Sequence, residues 1–508
     1  MPITAPRLRR DGEGSLARPM TMVDLFAGAG GLSLGLAAAG FRPLLAVERS
    51  PMAAETYFRN LVRRDEEAWQ AHVSLPLADQ LRAGLGVATT ARVLEHTDLL
   101  RNLFRPGDLD LLAGGPPCQG FSLAGLRNPR DVRNRLPLEF LEFVRLLRPR
   151  QVLVENVPGF GISFSPRPEE AALEQLRLAL GAMGYLAQIL EVNAADFGVA
   201  QERPRIMIAA MRRDLVDPRI LETEDARGSV RWSSGRPEDD PPLLAPQAEL
   251  AEPHRLRDAI GDLDGQAYSV GKVRDYPPEL AFARELRTSK GYLHVLTPVQ
   301  PESLSAPSNH EARRHSPRVT FRFRVAQALS RQGVSADVFF ADGSEHWQST
   351  LARLTQVQLP LRGASGEALV GPEAESTKTP EELAATVRRL ATRKHSQRVL
   401  EADKPARTIL TLPDDHVHYA APRILTVREA ARIQSFPDAF RFYSKATTGG
   451  SKRSSEVPQY SQVGNAVPPM MARAVGRHLR RVLLAALATS SPGEDDDATY
   501  AEVSSGLR

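Results

Sequence analysis

The chain has 508 residues, 42% hydrophobic and 25% charged, with a formal net charge of +4 and an isoelectric point near 9.2. That length exceeds one ordinary domain, and the composition is that of a soluble globular protein rather than a fibrous or disordered chain. No apolar run approaches the ~20 residues that span a bilayer, and a single cysteine excludes an intrachain disulfide framework or a Cys-cluster zinc site, which favours a reducing, intracellular location. No metal-ligating cluster is expected, and the mild basic bias is compatible with a nucleic-acid partner.

In chain order, MPITAPRLRRDGEGSLARP has basic residues but no apolar h-region, so residues 1–19 read as a disordered lead-in rather than a secretory signal. From Met20 to Arg213 the runs TMVDLF, LLAVE, LDLLAG, QVLVEN and PRIMIAAM predict strands, and GLSLGLAAAG and PLEFLEFVRLLRP predict helices. Strands and helices in alternation predict an α/β fold with a doubly wound, mostly parallel sheet. Residues 214 to about 420 lose that rhythm and turn rich in Pro, Arg, Ser and Glu, which predicts a second lobe of irregular structure, too long for a linker. Regularity returns with LTVREAARIQSFPDAF, a helix whose N-cap is Thr426, and with a last helix at about 469–487. The tail 488–508 is polar, acidic and expected to be disordered. The division expected is 20–213 completed by 458–487, with 214–457, including the 423–440 helix segment, as the second lobe.

Four motifs carry chemistry. In DLFAGAGGLSLGL, Gly28, Gly30 and Gly31 let the backbone approach a ligand at a helix N-terminus, and Glu48 ends the next strand, as expected of an acid on ribose hydroxyls. The spacing is not G-x-G-x-x-G, which suits a nucleoside without a pyrophosphate, such as S-adenosylmethionine. The bland alternative is a tight strand-to-helix turn that needs glycines for its own sake. In LDLLAGGPPCQGFS, the lone Cys118 follows a buried-type strand and two prolines that stiffen the backbone, as a nucleophile needs. A lone cysteine is otherwise a small buried hydrophobe, but Gly-Gly-Pro-Pro and Gln-Gly make a poor core setting. Glu155 ends the strand of QVLVENVPG, and QERPRIMIAAM places Arg203 and Arg205, two residues apart, on one side of the sheet.

With DLFAGAGG, VERS, GGPPCQGFS, ENVPG, QERPR, LTVREAARIQSFPD and YSQVGNAVP in order, the chain resembles the DNA (cytosine-5) methyltransferases, most of all the compact bacterial enzymes of restriction–modification systems. The resemblance covers about 20–213 and 400–487. It implies a Rossmann-like S-adenosylmethionine-dependent fold and assigns the cofactor to Phe26, Ala27, the three glycines, Glu48, Arg49, Asp98, Leu99, Pro116, Leu136, Asn465, Ala466 and Val467. Asp98, in EHTDLL, is the looser match to an adenine-contacting acid. Cys118 would be the nucleophile toward cytosine carbon 6, Glu155 the acid at ring nitrogen 3, and Arg203 and Arg205 the holders of the base carbonyl. The base would be flipped out of double-stranded DNA. The variable lobe would read sequence, with basic runs at 311–324 and 388–398 and a family-like KPARTIL at 404–410. A cytoplasmic, monomeric bacterial enzyme with a separate cognate endonuclease is the expected setting. The family's tRNA-methylating branch carries a further cysteine signature that this chain cannot supply. A silent DNA-binding relative would have lost Cys118, Glu155 or an arginine, and a small-molecule methyltransferase has no use for GGPPCQGFS.

Overall fold

The computed structural model describes residues 19–117, 135–161, 172–228, 231–263, 278–296, 307–340, 344–371, 377–392, 394, 396–450, 452 and 455–489. Cys118 and most of the two terminal segments expected to be disordered lie outside the described residues. The strands are β1 (Met20–Leu25), β2 (Phe41–Val47), β3 (Leu85–Gly86), β4 (Leu111–Gly114), β5 (Gln151–Asn156), β6 (Tyr185–Asn193), β7 (Gln201–Glu202), β8 (Pro204–Arg212) and β9 (Arg231–Ser233). Eight of them form one sheet in the order β3-β2-β1-β4-β5-β8-β6-β9. Neighbours from β3 to β5 are parallel, β8 runs antiparallel to both β5 and β6, and β9 is parallel to β6. This is the doubly wound, mostly parallel sheet that the alternating pattern predicts.

The central strands are buried on both faces, which is why they read as near-continuous apolar runs. The chain leaves β1 toward β2 on one side and returns to β4 on the other, so the carboxyl ends of β1 and β4 flank a topological switch point where ligands of open α/β sheets bind. The chain's two ends meet beside it. Helix Gly31–Ala38 packs on the C-terminal helix Pro469–Thr489 closely enough that a Cβ on Gly35 would lie 2.3 Å from Pro469 O. One apolar core unites Met20, Leu32, Phe41, Met471 and Leu483.

The boundary expected at 213 moves. β9 extends the main sheet, and Trp232, Leu244 and Ala245 join the core that holds β1 and the C-terminal helix. A further cluster joins Ala29 and Leu34 beside the glycine loop to Leu256, Phe282, Leu425, Ile433, Phe436 and Val463, so 256–263, 278–296 and 400–442 also pack on the catalytic body. The part with a core of its own is smaller, with Phe321, Leu329, Leu354, Leu361, Leu383 and Leu390 as its centre. It is helical rather than irregular, built on Pro317–Ser330, Ser344–Leu354 and Pro380–Arg389. Its Pro- and Arg-rich composition hid the helical period because prolines open two of these helices at the first turn, where they are tolerated.

The 423–440 segment packs into the catalytic body. Thr426 caps helix Val427–Ile433 as expected, its Oγ1 accepting from Glu429 N at 3.1 Å while Glu429 Oε2 accepts from Thr426 N at 2.8 Å. On the same helix Arg432 is fully buried and grips Asp438 with two bonds, Nε to Oδ1 at 2.9 Å and Nη2 to Oδ2 at 2.8 Å. Arg432 also donates to Asp262 and Ala259 O, and Arg287 donates to Asp438 Oδ2 at 3.0 Å. Burial alone would raise the Asp438 carboxyl, but Arg432, Arg428 and Arg287 outweigh it and hold it well below the usual carboxylate range. Removing that carboxylate strands buried cations, so Asp438→Ala is expected to destabilise the protein by about 3–5 kcal/mol, read as a shift of the denaturant midpoint. A change of under 1 kcal/mol would contradict the assigned role.

Candidate functional site

The three glycines of the loop after β1 do different things. Phe26, Gly28 and Gly30 have positive φ of 59°, 57° and 98°, which bends the chain sharply between β1 and the helix. A Cβ on Gly28 would meet nothing within 4 Å, so this glycine borders the opening. A Cβ on Gly30 would lie 2.8 Å from Leu61 Cδ1, and one on Gly31 2.4 Å from Val467 O. Gly30 and Gly31 therefore make room for protein, and Gly31 allows the 465–467 turn to close on the loop. Ala466 and Val467 are buried there and Asn465 is exposed. Of the sequence-predicted glycines, Gly28 alone faces open space.

Glu48 braces the loop. Its Oε2 accepts from Gly28 N at 2.9 Å and its Oε1 from Ser50 N at 2.7 Å, while Ala27 N donates to Val47 O at 3.0 Å. Burial raises the Glu48 carboxyl, and the two backbone donors partly offset that. A carboxylate has about four acceptor sites, so two bonds leave capacity for a ligand's hydroxyls. Open space at Gly28 and spare acceptors on Glu48 fit a ribose-bearing cofactor. Arg49, next in the chain, is exposed.

Asp98 does not join this group. It starts helix Thr97–Leu103 with its side chain 97% exposed, and Arg101 lies 3.9 Å from it. The carboxyl end of β3, beside Glu48, is instead followed by Val87 and Ala88, with Glu48 N donating to Gly86 O at 3.1 Å. Helix Thr90–Leu94 lies between β3 and the helix that carries Asp98, which sets this acid away from the end of β3. Leu99 is half-buried against the core on that face, and Leu136 is half-buried at the N-terminus of helix Leu136–Leu147.

One acid under the loop escaped sequence reading. Asp24, near the end of β1, is buried; its Oδ2 accepts from Ser33 Oγ at 2.6 Å. Since that bond uses the Ser33 proton, the Tyr57 hydroxyl donates to Ser33 Oγ, at 3.0 Å. Asp24 Oδ1 is buried without a partner among the described residues. Burial, with Glu48 nearby adding to it, pushes the Asp24 carboxyl up to about 7 despite the Ser33 bond. Its sequence signal was weak, because an Asp in an apolar strand run looks like a strand end.

At the other side of the crevice, Glu155 on β5 and Arg205 on β8 form an ion pair, Arg205 Nε to Glu155 Oε1 at 2.8 Å, with side chains 12% and 10% exposed. Register explains it: β5 and β8 are antiparallel neighbours, with Glu155 opposite Met207 and Asn156 opposite Ile206. Gly115 lets this carboxylate close on the end of β4, since a Cβ there would lie 3.1 Å from Glu155 Oε2. Asn156 Nδ2 donates to Pro116 O at 2.9 Å, tying the strand end of ENV to the stretch that leads into Cys118.

Arg203 takes a different place from the one expected. It is 1% exposed and donates to three carbonyls: Nη1 to Ile409 O at 3.1 Å, and Nη2 to Gly464 O at 2.7 Å and Ala466 O at 3.0 Å. Burial, then Arg205, lowers its pKa well below the usual value, with Glu155 opposing. An arginine nonetheless stays protonated. A side chain whose two terminal nitrogens are held by backbone carbonyls inside the protein, with Nε buried and unpartnered among the described residues, clamps the turn before Val467 rather than holding a base. The structure also adds 404–412 to the site. Ala406–Arg407 pairs in parallel with β7, Ile409 N donates to Gln201 Oε1 at 2.7 Å, and Thr408 Oγ1 donates to Glu202 O at 2.8 Å.

The raised Asp24 value has a sign that can be checked. A carboxyl held above its unfolded pKa contributes its stability below about pH 4 and loses it as pH rises through 7. Between pH 5 and pH 8 the wild-type protein is expected to lose about 2–3 kcal/mol relative to Asp24→Asn, measured by denaturant unfolding at both pH values. A difference that does not change with pH would contradict the buried, proton-holding carboxyl.

Comparison with known proteins agrees with this geometry. The family of C-5 cytosine-specific DNA methylases matches residues 20–84 and 91–481. Among curated proteins, the Type II methyltransferase M.DdeI of Desulfomicrobium norvegicum is 29% identical over 467 residues, covering 91% of this chain and 88% of that one. The Type II methyltransferase M.AgeI of Thalassovita gelatinovora is also 29% identical, over 492 residues, covering 91% and 99%. The crystal structure of a candidate DNA modification methyltransferase encoded within an E. coli prophage superposes with a TM-score of 0.53 at 20% identity, covering 92% of this chain and 99% of that one, a likeness of fold. With the match running through the glycine loop, both ends of the crevice and the C-terminal turn, the chain belongs to the C-5 cytosine-specific DNA methylases and is a DNA cytosine-5 methyltransferase.

Proposed function

We propose that this enzyme methylates carbon 5 of a flipped-out cytosine within a short DNA sequence through a covalent Cys118 adduct, as the modification partner of a separately acting endonuclease. The observation that carries the reading is the Glu155–Arg205 pair, placed against the end of β4 two residues before the Pro116–Pro117–Cys118 stretch. S-adenosylmethionine, bound at Gly28, Glu48 and the 465–467 turn, would supply an electrophilic methyl group. Phe26 and Ala27 would line the same opening.

The chain's own residues divide the remaining work. Cytosine carbon 5 is a weak nucleophile until a group adds at carbon 6, and the thiolate of Cys118 would form that carbon–sulfur bond. The electron pair displaced from the carbon 5–carbon 6 bond needs a sink, and Glu155 in its protonated form would donate its proton to ring nitrogen 3 and take it back when the thiolate is expelled. Arg205 would fix the Glu155 carboxylate and hold the base carbonyl. After carbon 5 is methylated, loss of its proton returns the electron pair and expels the thiolate, restoring Cys118. A paired, stacked base cannot reach this crevice, so the cytosine must leave the helix.

DNA would lie against the helical lobe. The two basic runs converge there: Arg313 and Lys394 share Asp414, at 3.6 and 2.5 Å, and Arg318 donates to the carbonyl of Arg389. Burial lowers His315, and Arg313, Lys394 and Arg322 add to that, placing these cations around one histidine. One counter-charge for two cations leaves a surplus suited to phosphates. Lys and Arg contacts of this kind position the duplex, while base-edge contacts would specify it. Monomeric action in a bacterial cytoplasm fits this reading; among the described residues no helix is long and apolar enough to cross a membrane.

Expression in a host without cytosine methylation, with genomic 5-methylcytosine mapped at single-base resolution, tests the activity. Methylation at one short sequence is expected, and Cys118→Ala should reduce it on the order of 10³-fold or more. Residual methylation near the wild-type level would remove the nucleophile.

A further inference from the structure

Ten large apolar side chains are exposed among the described residues, and two of them, Leu410 at 44% and Leu412 at 45%, stand in one three-residue stretch. Single exposed leucines need no explanation, but a pair beside a catalytic crevice does. Thr411 between them is half-buried, so exposure alternates as it does on an extended segment with one outward face.

The backbone beneath this pair is fixed. Arg203 holds Ile409 O, Gln201 holds Ile409 N, and Ser461 Oγ donates to Thr411 O at 3.3 Å. Gly464 packs so closely on the chain that a Cβ there would lie 2.5 Å from Leu410 C and O. A segment held from four sides does not expose two leucines through looseness. The placement matters as well. At one end the segment pairs with β7, three residues before Arg205, the partner of Glu155. At the other end it reaches Asp414, where Arg313 and Lys394 meet. The segment that carries Leu410 and Leu412 thus runs from the strand leading to Arg205 to that cationic face, along the path a polyanion delivering one base to Glu155 would take.

We propose that Leu410 and Leu412 form an apolar wedge that enters the duplex at the position vacated by the target base. The inference rests on the base-extrusion reading above. A cytosine leaving the stack opens an apolar gap between its neighbours, and unstacking costs a few kcal/mol. Side chains without polar atoms can fill that gap at no hydrogen-bonding cost, and a rigid backbone means little entropy is lost in presenting them. The wedge therefore favours the extruded state without touching the reacting atoms. Leu410 and Leu412 are positioning residues, not catalytic ones.

The test uses the full-length protein and duplexes carrying its mapped recognition sequence. In one the target cytosine is paired with guanine, and in the other it is mispaired with adenine and needs little help to leave the helix. Single-turnover methyl transfer is measured on both for wild type, Leu410→Ala/Leu412→Ala and the conservative Leu410→Met/Leu412→Met. The alanine variant is expected to lose about tenfold or more on the paired duplex and under threefold on the mispaired one, with methionine restoring most of the loss. Equal losses on both duplexes, or none on either, would overturn the wedge. If wild type reacts no faster with the mispaired target, extrusion does not limit the reaction and the wedge is overturned, while the base-extrusion reading survives, since a fast extrusion step gives the same result. A wild-type dimer in sedimentation that the alanine variant abolishes would assign the pair to a second copy of the chain instead.

Discussion

One buried guanidinium holds the crevice together. Arg203 sits where β7 gives way to β8, and its two terminal nitrogens reach three carbonyls on two segments over 200 residues away in sequence. A buried cation without a carboxylate partner costs free energy unless carbonyl dipoles surround it, so those segments cannot drift without stranding the charge. Three parts of the site depend on that constraint. The 464–467 turn must close on Gly31, the 404–412 segment must lie along β7, and Arg205, two residues on, must point at Glu155. A lysine could not reproduce the fork that spans Ile409, Gly464 and Ala466.

The crevice itself follows from strand order. Because β1 lies between β2 and β4, the loop after β1 and the loop after β4 open on opposite sides of one gap. Cofactor-type chemistry collects on the β2 side, with Gly28 and Glu48, and acid chemistry on the β5 side, with Glu155 and Arg205. Glycines stand where two backbones touch around the site, as at Gly31, Gly35 and Gly464. Buried polar groups recur beneath the site, in the Asp24–Ser33–Tyr57 chain and in the arginines around Asp438, and nearly all are satisfied by named partners.

Much of this was legible in the sequence, for reasons that differ by element. β1, β2, β4, β5 and β8 announce themselves because strands buried on both faces must be apolar throughout. Glu48 and Glu155 stand out as acids ending such runs. β6, with Gln188 and Glu191 inside it, lacks that signature and was missed. Residue spacing could not distinguish Arg203 from Arg205, since both fall on one side of the strand; the difference lies in what packs above each. Asp98 stands apart from the glycine loop because helix Thr90–Leu94 separates its own helix from β3, and only tertiary structure shows where the third strand ends. Residues 256–263, 278–296 and 400–442 join the catalytic body through contacts distant in sequence, such as Arg432 with Asp262, which no local pattern reveals.

The proposed reaction turns on the sulfur of Cys118 as the atom that bonds to the base. The most direct measurement is mass spectrometry of the protein after incubation with S-adenosylmethionine and a recognition-site duplex whose target is 5-fluorocytosine. Fluorine cannot leave carbon 5 as a proton does, so the carbon–sulfur bond should persist. The predicted result is a protein–DNA adduct whose modified peptide contains Cys118. Methyl transfer to an unmodified cytosine duplex with no adduct to the fluorinated one, or an adduct on another residue, would contradict it.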